Sequence, residues 1–464
     1  MKSVEKLRTK TPKRIAHNFY SLGNGVFRVS GPAGALCAYL VDTSAGLIQI
    51  NTVPELLKTF FPHLQKLPVA ICVTAPAVNQ IGDTQTGFEF ELWVSRFIDY
   101  QSPHRIKFIG HEAFLKTLYE RLKITMNGDF VADEQGVKQA KFIQRRWVDD
   151  VFEWKPTDST TQIGNVTIDM SDPTGVKIYD KTHLIFDSGL YPTMASDDLA
   201  NLYVEALLSQ VHHATYDPEI LSLTVGGTGI GTRPGVTSNF ILYYGNRVIW
   251  IDPPAMPFEK SVKLQVHPDL VTDHMITHCH EDHIEGFSAV LQRKIQRSEV
   301  LTLLSTTPIY EQLKAIFNPL FGDISQHISF LDLSDRNTFS SYYGCNIEIR
   351  DNYHPVPTIG LRLTYNGRQL SISGDVLYRK QIIDARLKNG DIDKATYEKL
   401  SPEWFAESEI LLHDTTVAKD PVHTELEDLE QLAQELPNVK VYSYHFGTTF
   451  DSHYTIPAKE GQRL

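Results

Sequence analysis

Three histidines and an aspartate fall within six residues in Thr277-His278-Cys279-His280-Glu281-Asp282-His283, spaced His-x-His-x-Asp-His. Imidazole nitrogen and carboxylate oxygen are ligands that zinc, iron and manganese share. The apolar pair Met275-Ile276 just upstream predicts a buried strand that ends in a loop here. Side chains alternate along a strand, so His278 and His280 would point to one side and grip one ion. Asp282 and His283, beyond the strand end, could turn towards a second. An ordinary polar loop would need no partners elsewhere, yet the downstream chain supplies further donors in a workable order. His354 precedes two prolines that fix the local backbone. Asp375 follows the strand-like run from Gln369, and His445 ends the run from Val439.

His278 to Gly286 resembles the signature of the metallo-β-lactamase superfamily of metal-dependent hydrolases. That resemblance implies a dinuclear centre in which His278, His280 and His354 hold one ion. Asp282, His283 and His445 would hold the other, with Asp375 bridging and Asp282 counted among the catalytic residues. Asp252 resembles the family's first-motif aspartate, which orients ligands rather than holding metal. The implied cofactors are two divalent ions, zinc first, with manganese or iron as alternatives. Such a pair polarises a scissile centre and supplies a nucleophile from water at neutral pH.

The resemblance also speaks to substrate. Gly226 to Gly235 carries five further residues between its glycines but no Gly-Lys-Ser/Thr, so a nucleotide-phosphate loop is not expected. It resembles the opening of the ribonuclease Z branch. The strand-borne pair His413-Asp414 resembles the phosphodiesterase branch, where a histidine followed by an acid protonates the leaving alkoxide. His413 is therefore the expected general acid, a role worth about 10²–10⁴-fold, with Asp414 orienting it and His423 as a weaker, supporting candidate. A small phosphodiester such as a cyclic nucleotide is the expected substrate. A transfer-RNA 3′-processing endonuclease is the runner-up. It would need a long basic arm between the third and fourth motifs, and only 21 residues separate His354 from Asp375. An ester or thioester hydrolase shares the ligand set, and a di-iron oxygen-binding or redox protein is a further alternative, although superfamily members with that role usually carry a glutamate where this chain has His280.

The remaining chain must position these groups. Its 464 residues exceed one typical core and predict two domains of about 200 residues each. Hydrophobic content of 42% and charged content of 22% are those of a soluble globular chain. With no long apolar run and no secretory signal, no membrane contact and a cytoplasmic location are expected. The four cysteines lie far apart without CxxC spacing, so no disulfide framework is indicated. A net charge of −12, from 44 basic and 56 acidic residues, weighs against nucleic acid as partner.

An internal repeat fixes the domain layout. Val73-Thr74-Ala75-Pro76-Ala77-Val78-Asn79-Gln80-Ile81 aligns without gaps on Ile276 to Ile284, and Ile48-Gln49-Ile50-Asn51 aligns on Ile249 to Asp252. The ligand positions have become Ala75, Ala77, Asn79 and Gln80. Leu184 to Gly189 resembles the strand and turn that carry the bridging aspartate, although Asp187 and His111 alone read as ordinary polar residues. The expected fold is α/β, an αββα metallo-β-lactamase fold in tandem: a degenerate copy without metal ligands over 1–215 and a catalytic copy over 216–464. The silent copy could pair with the active half, wall off its cleft or make a homodimer contact.

Overall fold

A computed structural model describes residues 12–31, 36–53, 56–74, 105–127, 148, 152–191, 197–212, 215–230, 237–334, 341–390, 392–417, 422–448 and 450–464. The chain divides into two compact units, Met1–Lys123 with Arg145–Leu207 and Ile124–Gln144 with Leu208–Leu464.

In the first unit, one sheet runs in sequence order through β1 (Lys13–Ala16), β2 (Phe19–Gly23), β3 (Val26–Ser30), β4 (Cys37–Thr43), β5 (Gly46–Ile50), β6 (Ala70–Val73), β7 (Ile106–Gly110) and β8 (Phe152–Pro156). A second has β9 (Thr160–Ile163), β10 (Val166–Asp169), β11 (Lys177–Asp180) and β12 (His183–Asp187). Side chains alternate across each strand. Tyr39, Val41, Ile48 and Ile50 therefore meet Ile168, Ile178 and Phe186 of the second sheet. Ala38, Leu40 and Leu47 pack on the opposite face against Leu56, Leu57 and Phe60, from the helix Leu56–Leu64 that apolar spacing predicts.

The second unit has two six-stranded sheets. One holds β13 (Ser222–Gly227), β14 (Asn239–Tyr244), β15 (Arg247–Ile251), β16 (Asp273–Met275), β17 (Leu301–Ser305) and β18 (Ile328–Asp332). The other holds β19 (Asn346–Asp351), β20 (Ile359–Tyr365), β21 (Arg368–Ile372), β22 (Ile410–Asp414), β23 (Lys440–Tyr444) and β24 (Ile456–Pro457). Leu223, Val225, Leu242 and Ile249 from one sheet share a core with Leu361, Leu363, Leu370 and Leu412 from the other. Outside the first sheet, Trp250 and Ile241 pack with Leu264 of the helix Pro257–Leu264. Outside the second, Leu411 and Val441 pack with Leu429 and Leu432 of the helix Leu426–Glu435. Helix, sheet, sheet and helix give the four layers of the metallo-β-lactamase fold.

The tandem shows in the pairing. From β3 to β8 the neighbours run antiparallel twice and then parallel three times. From β13 to β18 they do the same. Parallel strands must return by crossovers, and in the second unit the histidine motif falls just past the end of β16. Among the described residues, no helix is long and apolar enough to cross a membrane.

Candidate metal centre

β16 stops at Met275, earlier than the histidine alternation requires. The reason is local. Asp252 Oδ1 accepts the Thr277 backbone N–H at 2.8 Å, and Thr277 O accepts from Ile359 N of the other sheet. The backbone of Thr277 thus bonds to groups outside the β15–β17 ladders. His278 and His280 consequently come from a loop, not from a strand end. Asp282 and His283 lie on the short helix Glu281–Ile284, with His280 at its N-cap. Gly286 lets this turn close: a Cβ there would stand 2.1 Å from the Pro254 carbonyl oxygen.

The four separate segments converge. Donor atoms of His278, His280, His354 and Asp375 lie within 4.8 Å of one another, and so do those of Asp282, His283 and His445. His280 Nδ1 stands 3.2 Å from His278 Nε2 and 3.0 Å from His354 Nε2. Asp375 Oδ2 faces the Nε2 atoms of His278, His283 and His445 at 3.6, 3.3 and 3.4 Å. His445 Nε2 also lies 3.4 Å from Asp282 Oδ2. Two donors each about 2.1 Å from a tetrahedral ion stand about 3.4 Å apart. The spacing suits shared cations.

The electrostatics agree. Asp375 is 1% exposed, and neither of its oxygens makes a hydrogen bond among the described residues. An uncompensated buried carboxylate costs several kcal/mol, so the site demands positive charge. Burial disfavours ionised Asp375, yet His445, His283 and His278 outweigh it and hold the group well below the usual carboxylate range. Burial likewise opposes a charged His283, but Asp375, Asp282 and Asp252 outweigh it and raise that imidazole. This donor set fits divalent metal.

Buried partners aim the rings. Asp252 Oδ2 accepts from His283 Nδ1 at 2.8 Å and from Thr277 Oγ1 at 2.6 Å. The carbonyl of Val422 accepts from His354 Nδ1 at 3.2 Å. In both histidines Nε2 is left for the cluster, the usual use of an outer hydrogen bond to a metal-binding ring. His445 sits at φ 64 and Asp252 at φ 51, left-handed positions that the surrounding contacts must hold.

His413 does not join them. β22 alternates, so Leu412 belongs to the core between the sheets and Leu411 to the outer layer. His413 shares the outer face, with Phe405 and Tyr378 at ring separations of 6.0 and 6.3 Å. Its Nδ1 donates to the carbonyl of Asp414 at 2.8 Å, and burial pushes its pKa down to about 3. A ring that faces away from the cluster and stays neutral near pH 7 is not the acid. Asp414, one residue on, faces inward, and its Oδ2 accepts from His423 Nδ1 at 2.9 Å. The His423 ring lies 4.4 Å from that of His445, and its side chain is 12% exposed. The sequence signal for His423 was only its nearness to Asp414, because a loop and not a strand delivers it.

The first unit preserves part of this architecture. Asn51, at φ 55, accepts from Thr74 N and Thr74 Oγ1 through Oδ1, both at 3.0 Å. Its backbone N–H donates to Cys72 O at 2.9 Å, as that of Asp252 does to Met275 O. Ala75, Ala77, Asn79 and Gln80 lie outside the described residues. His111 Nε2 contacts the Met170 carbonyl at 3.1 Å, and Asp187 folds back onto Gly189 N at 2.9 Å. Among the described residues, neither joins a group able to hold an ion.

The model of the family described as Anti-Pycsar protein Apyc1 matches residues 221–462, over half of the chain. The chain belongs to that family. The Apyc1 match covers both sheets of the second unit and every cluster residue. The chain is also similar to two Dictyostelium discoideum proteins. One, cGMP-dependent 3′,5′-cGMP phosphodiesterase A, is 26% identical over 251 residues, covering 54% of this chain and 28% of the relative. The other, cAMP/cGMP-dependent 3′,5′-cAMP/cGMP phosphodiesterase B, is 27% identical over 250 residues, covering 52% and 22%. This Apyc1-family chain thus matches under a third of the length of either. Among solved structures it resembles the metallo-β-lactamase fold protein YhfI from Bacillus subtilis, with 16% identity, a TM-score of 0.42, and coverage of 53% of this chain and 98% of that one.

Proposed function

We propose that the chain is a dinuclear metal-dependent phosphodiesterase acting on a small phosphodiester such as a cyclic nucleotide. The observation that carries the reading is the pairing of a seven-residue buried donor cluster with the Asp414–His423 dyad at its less buried edge. His278, His280 and His354 would hold one ion, Asp282, His283 and His445 the other, with Asp375 shared. Zinc is the first candidate, since five of the six terminal donors are imidazole, with manganese or iron as alternatives. When bound, two divalent ions supply Lewis acidity at the phosphoryl oxygen and a water-derived nucleophile at neutral pH.

The protein's own groups do the rest. Asp414 holds the Nδ1–H of His423 and fixes the orientation of the ring by that bond. His423 then gives a proton from Nε2 to the departing alkoxide, a general-acid role. Asp282 and Asp375 gather three imidazoles into one face, and Asp252 keeps His283 turned inward. The names of the two curated relatives support the phosphodiester class. The net charge of −12 favours a small substrate over a long polyanion.

Residues 1–215 are, in the same proposal, a degenerate copy without hydrolytic activity. The Asn51–Thr74 node supports it: an amide Nδ2 that donates to Thr74 Oγ1 cannot accept from an imidazole, as Asp252 Oδ2 does from His283.

The test is hydrolysis of a substrate panel by zinc-, manganese- and iron-loaded protein, with Asp375→Ala as control. The panel holds bis-p-nitrophenyl phosphate, cyclic mononucleotides, cyclic dinucleotides and precursor transfer RNA. Turnover of a cyclic nucleotide that is lost in the control is the expected result. Cleavage of precursor transfer RNA alone would replace the substrate class. No turnover with two metals bound would overturn the phosphodiesterase reading and turn attention to esters, thioesters and oxygen.

A further inference from the structure

The turn that delivers Asp375 is folded around one amide group. Asn352 Nδ2 donates to the carbonyl of Ser373 at 2.6 Å and to that of Asp375 at 3.0 Å. Gly374, between those two carbonyls, sits at φ 64. A Cβ there would come 2.2 Å from the Ile359 carbonyl oxygen and 2.8 Å from Asn352 Nδ2. Only glycine lets the turn close this tightly. Asn352 is 2% exposed. Its backbone N–H donates to Thr358 O at 2.9 Å, closing the loop that carries His354. One residue, through its side chain and its backbone, therefore ties together the two loops that supply His354 and Asp375.

We propose that Asn352 is the positioning residue that fixes the Asp375 carboxylate where two ions can share it. The proposal rests on the ligand assignment made under Proposed function. β21 ends at Ile372, so the ladder does not hold Asp375, and the left-handed Gly374 before it is conformationally permissive. A shared carboxylate tolerates little drift, because functional geometry must hold to about 0.5 Å. An amide nitrogen has two donor hydrogens, matched one each to the flanking carbonyls. An aspartate at this position would set oxygen against oxygen, and an apolar residue would withdraw the side-chain donor from both carbonyls.

The test uses the full chain with Asn352→Ala and Asn352→Ser, each loaded with cobalt(II) and dialysed against graded chelator. The expected result is one cobalt held about 10–100-fold more weakly than in the unsubstituted protein. At saturating cobalt, the magnetic coupling between the paired ions, read by electron paramagnetic resonance, is lost or reduced. A purely structural role would lower the thermal midpoint of the metal-free protein and leave that coupling intact. Two coupled ions of unchanged affinity in either folded variant would overturn the proposal. So would loss of cooperative unfolding in both variants, since the amide would then serve the fold alone. Fewer than two ions in the unsubstituted protein would overturn the two-ion assignment and this proposal with it, an outcome read without any substitution.

Discussion

Asp414 Oδ2 accepts a hydrogen bond from His423 Nδ1 at 2.9 Å, while His413, its neighbour in the chain, turns its ring to the opposite face of β22. Two histidines near one aspartate thus differ in kind, one beside His445 and partly open, the other sealed among Phe405 and Tyr378.

His423→Ala should lower kcat on a cyclic nucleotide by about 10²–10⁴-fold, the usual worth of a general acid. With bis-p-nitrophenyl phosphate the loss should shrink to a few-fold, because p-nitrophenolate leaves without a proton. Asp414→Asn should follow the same leaving-group pattern. His413→Phe should leave both rates within about twofold. Equal losses on both substrates in His423→Ala would remove the acid role.

The members of the candidate centre that the structure brings together were legible in the sequence because each one is tied to a strand or a turn that local pattern reveals. His278 to Gly286 and Asp375 carry their spacing with them, and His445 follows an apolar run that does form β23. Their backbone settings were less legible. Strand alternation accounts for the inward face of Asp414 but not for His278 and His280, which follow Thr277, whose backbone bonds to Asp252 and Ile359 instead of the sheet. His413 was misread because face assignment depends on which side of β22 the core lies. That is a property of the sheet packing, invisible within the pentapeptide. Asn352 was missed because an asparagine before a proline-rich turn looks like turn chemistry, and its two carbonyl partners lie over twenty residues away.

Asp252→Asn imposes on the active copy the residue that the repeat has at Asn51. The amide can still accept from Thr277 N, but it presents Nδ2 or a single oxygen where Oδ2 now takes both Thr277 Oγ1 and His283 Nδ1. His283 should lose its fixed orientation. Metal affinity should fall about 10–100-fold, measured by competition with a chromogenic chelator. Asp252→Glu should not restore it, since the longer side chain cannot keep the left-handed node. Unchanged affinity would show that His283 needs no orienting group.

Asn51→Ala tests the silent copy. It removes the bonds that Thr74 N and Oγ1 make with Asn51 in a fully buried setting. Each buried group left unpaired costs about 1–3 kcal/mol, so the first unit should unfold at lower temperature by calorimetry. Metal content and kcat on the cyclic nucleotide should stay within about twofold. A fall in kcat that exceeds the fraction of protein unfolded would mean that this copy contributes to the reaction.

Acid sensitivity should trace in part to His413. Burial holds its folded pKa at about 3, against an ordinary value near 6.5. The bond from its Nδ1 to the Asp414 carbonyl opposes that shift, while the buried guanidinium of Arg350 adds to it. Below the ordinary pKa the unfolded chain binds a proton that the folded chain refuses. Stability is therefore full above about pH 6.5 and is lost as pH falls towards 3. Between pH 7.5 and 5 this one ring should cost about 2 kcal/mol, from 1.36 kcal/mol per pKa unit. His413→Phe fits the same aromatic setting beside Phe405 and Tyr378 and has nothing to protonate. Metal-free His413→Phe should lose that much less stability over this interval than the unsubstituted metal-free protein, read as the shift in urea midpoint at the two pH values. Identical shifts for both proteins would mean that His413 takes up its proton in the folded state and that its enclosure opens in acid.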